Sequence, residues 1–301
     1  MSLQSIINSR IGVAVILVIG RIVPPSLGSK LADRAARWLA SKKDSPMMRA
    51  VRANQWIITG EKLSAEELDK QAQETLRKTT NMLYDFYHTL NDHQAILERV
   101  ILSPKLTRYL DSRLGGPEGT LMIAPHLSNF DLAGRAMALN GYGIQALSYP
   151  QPGGGYQWQN SMRKDIGIDI TPMSTESMRK AKKRLKSGGG VITGLERPLL
   201  DTNYYPKFFG YPAPVPVSYV RMALQTNSAV LVTACVGTPQ ENYRLECSDL
   251  IYMKPYKNRQ EEIERNAERV LKAAEIFIGA YPTQWAMSYP VWPFALEEMP
   301  V

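Results

Sequence analysis

From Gly119 onward the chain alternates short apolar runs with helical stretches, and no other feature restricts its fold as strongly. The apolar runs are Leu121 to Ala124, Ile144 to Ser148, Ile168 to Thr171, Val191 to Thr193, Val230 to Val236 and Tyr243 to Cys247, all short enough for strands. Between them the spacing predicts helices over Phe130–Leu139, Tyr156–Asp165, Thr175–Lys186 and Ser218–Thr226, with a last one over Arg259–Tyr281. Strands that alternate with helices are joined by crossovers, so their sheet is largely parallel and covered on both faces. The expected fold class is α/β: an αβα sandwich with a central mixed, largely parallel sheet and N-terminal helices.

Before Gly119 the pattern is helical, from about Ser29 to Leu110. Ser64 followed by Glu67 is a capping-box pair, and Leu68, Ala72, Leu76, Met82 and Leu83 follow at helical spacing. No linker, repeat or low-complexity tract divides the 301 residues. A single domain is expected: an N-terminal helix over 1–28, a helical part over 29–115 and an α/β core over 116–301.

The apolar run Ile11 to Gly20 lies between Arg10 and Arg21 and ends before Pro24 and Pro25. A bilayer-spanning helix needs about 20 apolar residues, so this run is too short to cross alone. No small-x-small cleavage site follows it, which argues against a secretory signal. A helix lying in one leaflet fits, and so does a buried core helix.

The net charge of +8 favours partners that carry negative charge, such as an anionic membrane surface or phosphate-bearing molecules. Aromatic residues do not alternate with Lys and Arg, and no zinc-finger spacing occurs, so nucleic acid is not expected. Only His88, His93 and His126 are present, too few for a multi-histidine metal site. Cys235 and Cys247 fall in expected strands and read as buried thiols, with a disulfide as the alternative.

Chemistry concentrates between Ala124 and Asp131. A strand ends at Pro125 and a helix begins near Phe130, with Asn129 or Ser128 as N-cap and Asp131 in the first turn. Five residues apart on one helix, His126 and Asp131 would face different directions. A strand–turn–helix junction removes that limit and lets the imidazole fold back onto the carboxylate, as in the His–Asp half of a serine triad. An isolated match of this kind also fits a capping aspartate beside a turn histidine.

The neighbouring blocks bear on that choice. Asn160, Arg163 and Gly167 precede the strand Ile168 to Pro172; Ser187 to Gly190 lead into Val191 to Glu196, Arg197 and Pro198. Lys207, Phe208, Phe209 and Gly210 are followed by Ala213 to Pro216, and Pro282, Gln284 and Trp285 stand near the end. In this order, the blocks resemble the bacterial lysophospholipid acyltransferase superfamily, within it the branch of lipid A late acyltransferases and phosphatidylinositol mannoside acyltransferases. The superfamily's His-x4-Asp/Glu motif falls on His126 and Asp131, and its acidic strand-end motif on Glu196, where Asp is usual. A histidine that often follows the Gln-Trp pair is absent here.

The resemblance implies a membrane-associated acyltransferase at the cytoplasmic face of the cell membrane. The donor is acyl-CoA or acyl carrier protein, the acceptor a hydroxyl of a glycolipid or phospholipid, and no cofactor or metal is required. His126 is the expected general base, oriented by Asp131, with Glu196 in support; Asn129, Arg163, Arg197 and Lys207 are the expected substrate-binding residues. No Gly-x-Ser-x-Gly elbow occurs, which argues against a serine acyl-enzyme. A thioester hydrolase and a non-catalytic lipid binder are the alternatives on the same fold.

Overall fold

In a computed structural model, residues 18, 20–150, 168–199 and 201–301 are described. The helix expected over Tyr156–Asp165 and Arg163 lie outside these residues, as does the Ile11–Gly20 run apart from Val18 and Gly20.

Three helices open the fold: α1 Pro25–Ala40, α2 Pro46–Ile58 and α3 Ala65–Thr89. Ser64 caps α3 in the expected box, its side chain accepting from the Glu67 N–H while Glu67 reaches back to the Ser64 N–H. Helix α1 lays Gly28, Ala32, Ala36 and Leu39 toward the core. Gly28 is required by this packing, because a Cβ there would stand 2.0 Å from the Tyr84 ring of α3. Helix α4 His93–Arg99, strand β1 Val100–Leu102 and helix α5 Pro104–Arg113 follow. The three-residue β1 interrupts a region expected to be wholly helical.

The remaining elements are β2 Thr120–Ala124, α6 Phe130–Leu139, β3 Ile144–Ser148, β4 Asp169–Pro172, α7 Thr175–Lys186 and β5 Gly190–Gly194. A small hairpin, β6 Lys207–Phe208 with β7 Tyr211–Pro212, precedes α8 Ser218–Thr226, β8 Ala229–Thr238, β9 Asn242–Cys247, α9 Arg259–Ala280 and α10 Ala295–Glu298. The seven-stranded sheet has the order β1-β9-β8-β2-β5-β3-β4. Every pairing in it is parallel except β8 with β9. The sandwich and mixed, largely parallel sheet expected from the alternation are therefore present.

Strand order places the site. From β2 the chain crosses to β3 and β4, returns to fill the gap with β5, then passes to β8 on the other side of β2. Where successive connections leave in opposite directions, a crevice opens at the carboxyl ends of the strands. Pro125 and His126 follow the end of β2, and Leu195 and Glu196 follow the end of β5.

Cys235 and Cys247 are buried, free thiols on neighbouring strands but not opposite each other: Cys235 faces Leu245 and Cys247 faces Thr233. Burial pushes the Cys235 thiol up to about 12 and Cys247 to about 11, leaving both protonated and unreactive near neutrality.

Candidate active site

Register brings the site together. Strands β2 and β5 pair Thr120 with Gly190 through to Ala124 with Gly194. Continuing two residues past that last pair sets His126 opposite Glu196. Glu196 is fully buried, and its Oε1 accepts from the His126 backbone N–H at 2.6 Å and from Trp285 Nε1 at 2.9 Å. The same oxygen lies 3.3 Å from His126 Nδ1. The imidazole edge bearing Nε2 is thereby left toward the crevice, and the histidine side chain keeps 32% of its exposure. The ring packs over Gly194, where a Cβ would stand in van der Waals contact with His126 Cε1 at 3.4 Å.

Burial alone would depress the His126 pKa; the Glu196 charge and hydrogen bond outweigh it, Asp131 adds to them, and Arg197 opposes. The net direction is upward. Burial of Glu196 favours its neutral form, but the adjoining imidazole and the donors on Oε1 hold its pKa below the usual carboxylate value. Its second oxygen, Oε2, is buried without a hydrogen-bond partner among the described residues.

The loop carrying His126 is fixed from below. Ser128 adopts φ 49°, a left-handed conformation costing an L-residue about 1–2 kcal/mol. Its N–H donates to the Gln284 carbonyl and its Oγ to the Gly237 carbonyl, both at 2.8 Å. The Ala286 N–H donates to the His126 carbonyl, and Gln284 Oε1 accepts from the Gly237 N–H. Helix α2 anchors this C-terminal strap: Gln55 donates to the Pro282 carbonyl, and Asn54 donates to the Met287 and Tyr289 carbonyls. The N-terminal helices thus act on the site through residues 282–289.

Asp131 lies in the first turn of α6, where the helix dipole favours a carboxylate, and lines the same pocket as His126. Asn129 caps α6, Oδ1 accepting from the Leu132 N–H, and its Nδ2 donates to the Met82 carbonyl; it is buried and committed to the framework. Arg197 follows Glu196, packs against the Tyr149 and Tyr289 rings and lies near enough to His126 for its charge to be felt there, though it is not among the pocket-lining residues. Lys207 is exposed on the β6–β7 hairpin, its backbone N–H donating to Glu268 of α9, and is not among the pocket-lining residues. Gln284 and Trp285 stood out in the sequence only as a motif without a role, and Tyr149 and Tyr289 gave no signal, because each reaches His126, Glu196 or Arg197 across the fold.

A pocket extends from His126 along α6. Phe130, Gly134, Met137 and Ala138 line it from one helical face, at spacings of four, three and one. The strands face them with Ile144, Ala146 and Ser148, Ile168 and Ile170, and Ile192 and Gly194, joined near the strand ends by Leu147 and Thr193. Tyr142 stands at the far end, its hydroxyl donating to Asp111 at 2.7 Å. The result is an apolar slot with a histidine–carboxylate pair at one end.

The family model for bacterial lipid A biosynthesis acyltransferases matches residues 3–293. Phosphatidylinositol mannoside acyltransferase from Mycobacterium tuberculosis, strain H37Rv, is 27% identical over 215 residues, covering 64% of this chain and 64% of that protein. The same protein of strain CDC 1551 matches equally. The chain spans under two thirds of the length of these relatives. By a match running nearly end to end, the chain belongs to the bacterial lipid A biosynthesis acyltransferase family.

Proposed function

We propose that the chain transfers a fatty acyl group from an acyl thioester, acyl-CoA or acyl carrier protein, to a hydroxyl of a glycolipid or phospholipid acceptor. The observation that carries this is the junction of the two halves of the site: the open side of His126 meets an apolar slot built from α6 and four strands. A base beside an apolar cleft suits a reaction whose reactive carbonyl ends a hydrocarbon chain. Family membership supports the same reading.

His126 Nε2 takes the acceptor hydroxyl proton as that oxygen attacks the thioester carbonyl. The tetrahedral intermediate collapses with cleavage of the C–S bond, and the imidazolium returns the proton to the departing thiolate. Glu196, on Nδ1, orients the ring and stabilises the imidazolium; Asp131 adds negative field from the pocket side. The division of labour thus differs from that expected of the His-x4-Asp spacing, with Glu196 as the nearer carboxylate. First-turn N–H groups of α6 are the assigned donors to the oxyanion.

The slot supports a reading in which the acyl chain lies along α6. The ten residues of α6 span about 15 Å, room for roughly a dozen extended methylenes. Gly134 lies midway, and a Cβ there would meet only Ile168 Cδ1, at 4.0 Å. Gly134→Phe is expected to block the far half without harming the helix, where glycine is itself unfavourable by about 1 kcal/mol. Rates with palmitoyl-CoA should fall about tenfold or more while octanoyl-CoA is spared, as the lost apolar contact implies. Equal losses for both chain lengths would remove the slot as the acyl site.

The membrane contact is assigned to the N-terminal region. Ile22, Leu27, Leu31 and Trp38 are exposed there, the last three at spacings of four and seven on α1, among Arg21, Lys30, Arg34 and Arg37. An amphipathic, basic helix of this kind lies in the surface of an anionic leaflet. Among the described residues no helix is long and apolar enough to cross a membrane.

The test is thiol release from palmitoyl-CoA by the purified protein with a panel of lipid acceptors. Release that depends on acceptor, with acyl product on the lipid, is the expected result. Release indifferent to acceptor would make the protein a thioesterase instead.

A further inference from the structure

Arg197 is a half-buried cation just past the end of β5. Among the described residues no carboxylate lies within ion-pair distance of it, although Glu196 is its chain neighbour. Glu196 turns inward to His126 and Trp285, and Arg197 turns to Tyr149 and Tyr289. There its guanidinium lies between two rings, with Cζ 4.1 Å from the centroid of Tyr149 and 4.5 Å from that of Tyr289. One Nη donates to the Tyr289 hydroxyl at 3.1 Å.

The three residues come from separate elements that the fold holds in place. Tyr149 follows the end of β3 and is 40% exposed. Arg197 follows β5. Tyr289 lies on the C-terminal strap, its carbonyl accepting from Asn54 of α2 at 2.8 Å. Two aromatic rings pack against the guanidinium, and among the described residues only one of its nitrogens is spent on a hydrogen bond, to the Tyr289 hydroxyl. A planar edge of fixed donors recognises oxyanions bidentately, a task a lysine performs only as a point charge.

Local cost points the same way. The Arg197 charge works against protonation of His126, so it opposes the stabilisation that Glu196 and Asp131 give the imidazolium. A half-buried cation beside the reaction centre, with no acid paired to it among the described residues, is accounted for when a bound ligand supplies the anion.

We propose that Tyr149, Arg197 and Tyr289 form a receptor for a phosphate group beside the His126 end of the acyl slot. This rests on the acyl-transfer reading, and it names the chemistry of the substrate end that lies outside the slot. A phosphate reaches this position from either of two sources: the phosphates of the acyl donor, or the phosphodiester of the acceptor head group.

The experiment measures equilibrium binding to the full-length protein at constant pH, with no turnover required. The probes are coenzyme A, which carries the donor's phosphates, and glycerophosphoinositol, a soluble phosphodiester head group. Wild type is compared with Arg197→Gln, Arg197→Lys and Tyr149→Leu; the last removes an exposed wall and leaves the core intact. At least one probe is expected to bind wild type and to lose about tenfold or more in affinity in Arg197→Gln, as loss of a charge-assisted pair implies. Arg197→Lys should recover only part of that loss, since it restores the charge without the planar edge. Loss confined to coenzyme A assigns the receptor to the donor, and loss confined to glycerophosphoinositol assigns it to the acceptor. A residue that merely tuned His126 electrostatically would leave both affinities unchanged, and that result overturns the proposal. So does failure of wild type to bind either probe. Because binding is read without catalysis, a protein inactive toward palmitoyl-CoA would overturn the acyl-transfer reading while leaving this test intact.

Discussion

His126→Ala is expected to lower acceptor-dependent thiol release by about 10²–10⁴-fold, the range supplied by a positioned general base. The backbone around residue 126 should survive the change. Its N–H still donates to Glu196 and its carbonyl still accepts from Ala286, neither bond involving the imidazole. Glu196 also keeps the Trp285 indole N–H. The removed ring faces the open crevice on one side, so little cavity forms. The remaining cost is a buried carboxylate deprived of one neighbour, about 1–3 kcal/mol of stability. A thermal melt lowered by a few degrees together with collapsed turnover is the expected pair of results. Turnover within a few-fold of wild type in a folded variant would remove His126 from the chemistry.

Much of the architecture was legible because its signals are local. Helix α6 begins and ends where its Asn129 cap and apolar spacing predict, and α7 and α8 likewise match their expected ranges. The Ser64–Glu67 box marks the start of α3 for the same reason: cap and box lie within one turn of chain. The short strand β1 and the two-residue strands β6 and β7 escaped, being too brief for an alternation to register.

The site was legible in its parts and illegible in its pairing. His126 stood out because a strand ends and a helix begins around it. Its nearest carboxylate, however, depends on the register of β2 against β5, seventy residues along the chain. Sequence proximity singled out Asp131; the parallel register puts Glu196 on Nδ1. The same holds for Gln284 and Trp285. As a motif they mark a resemblance, but their work is to hold the Ser128 backbone and the Glu196 carboxylate, which only the folded strap reveals.

Glu196→Gln provides a separate test of that register-made pair, through two changes with different causes. The amide keeps an oxygen for the His126 N–H and the Trp285 indole, so the loop should stay in place. What disappears is the negative charge on Nδ1. The imidazolium formed during proton transfer then lacks its partner, and turnover should fall by on the order of 10²–10³, within the range of general-base losses. The pH dependence should move as well. In the intact protein the Glu196 charge outweighs burial and raises the His126 pKa, so kcat/KM fails on the acid side above the ordinary imidazole range near 6.5. Removing that charge leaves burial and Arg197, which both favour the neutral ring, against Asp131 alone. The base then stays deprotonated to lower pH, and the acid limb shifts downward even as the maximum drops. Asp131→Asn should shift it in the same direction but by less, Asp131 being the weaker of the two influences. A limb that moves more in Asp131→Asn than in Glu196→Gln would return the orienting role to Asp131. The profile separates the two carboxylates where loss of activity alone cannot, because either substitution slows the enzyme and only the stronger partner sets where His126 titrates.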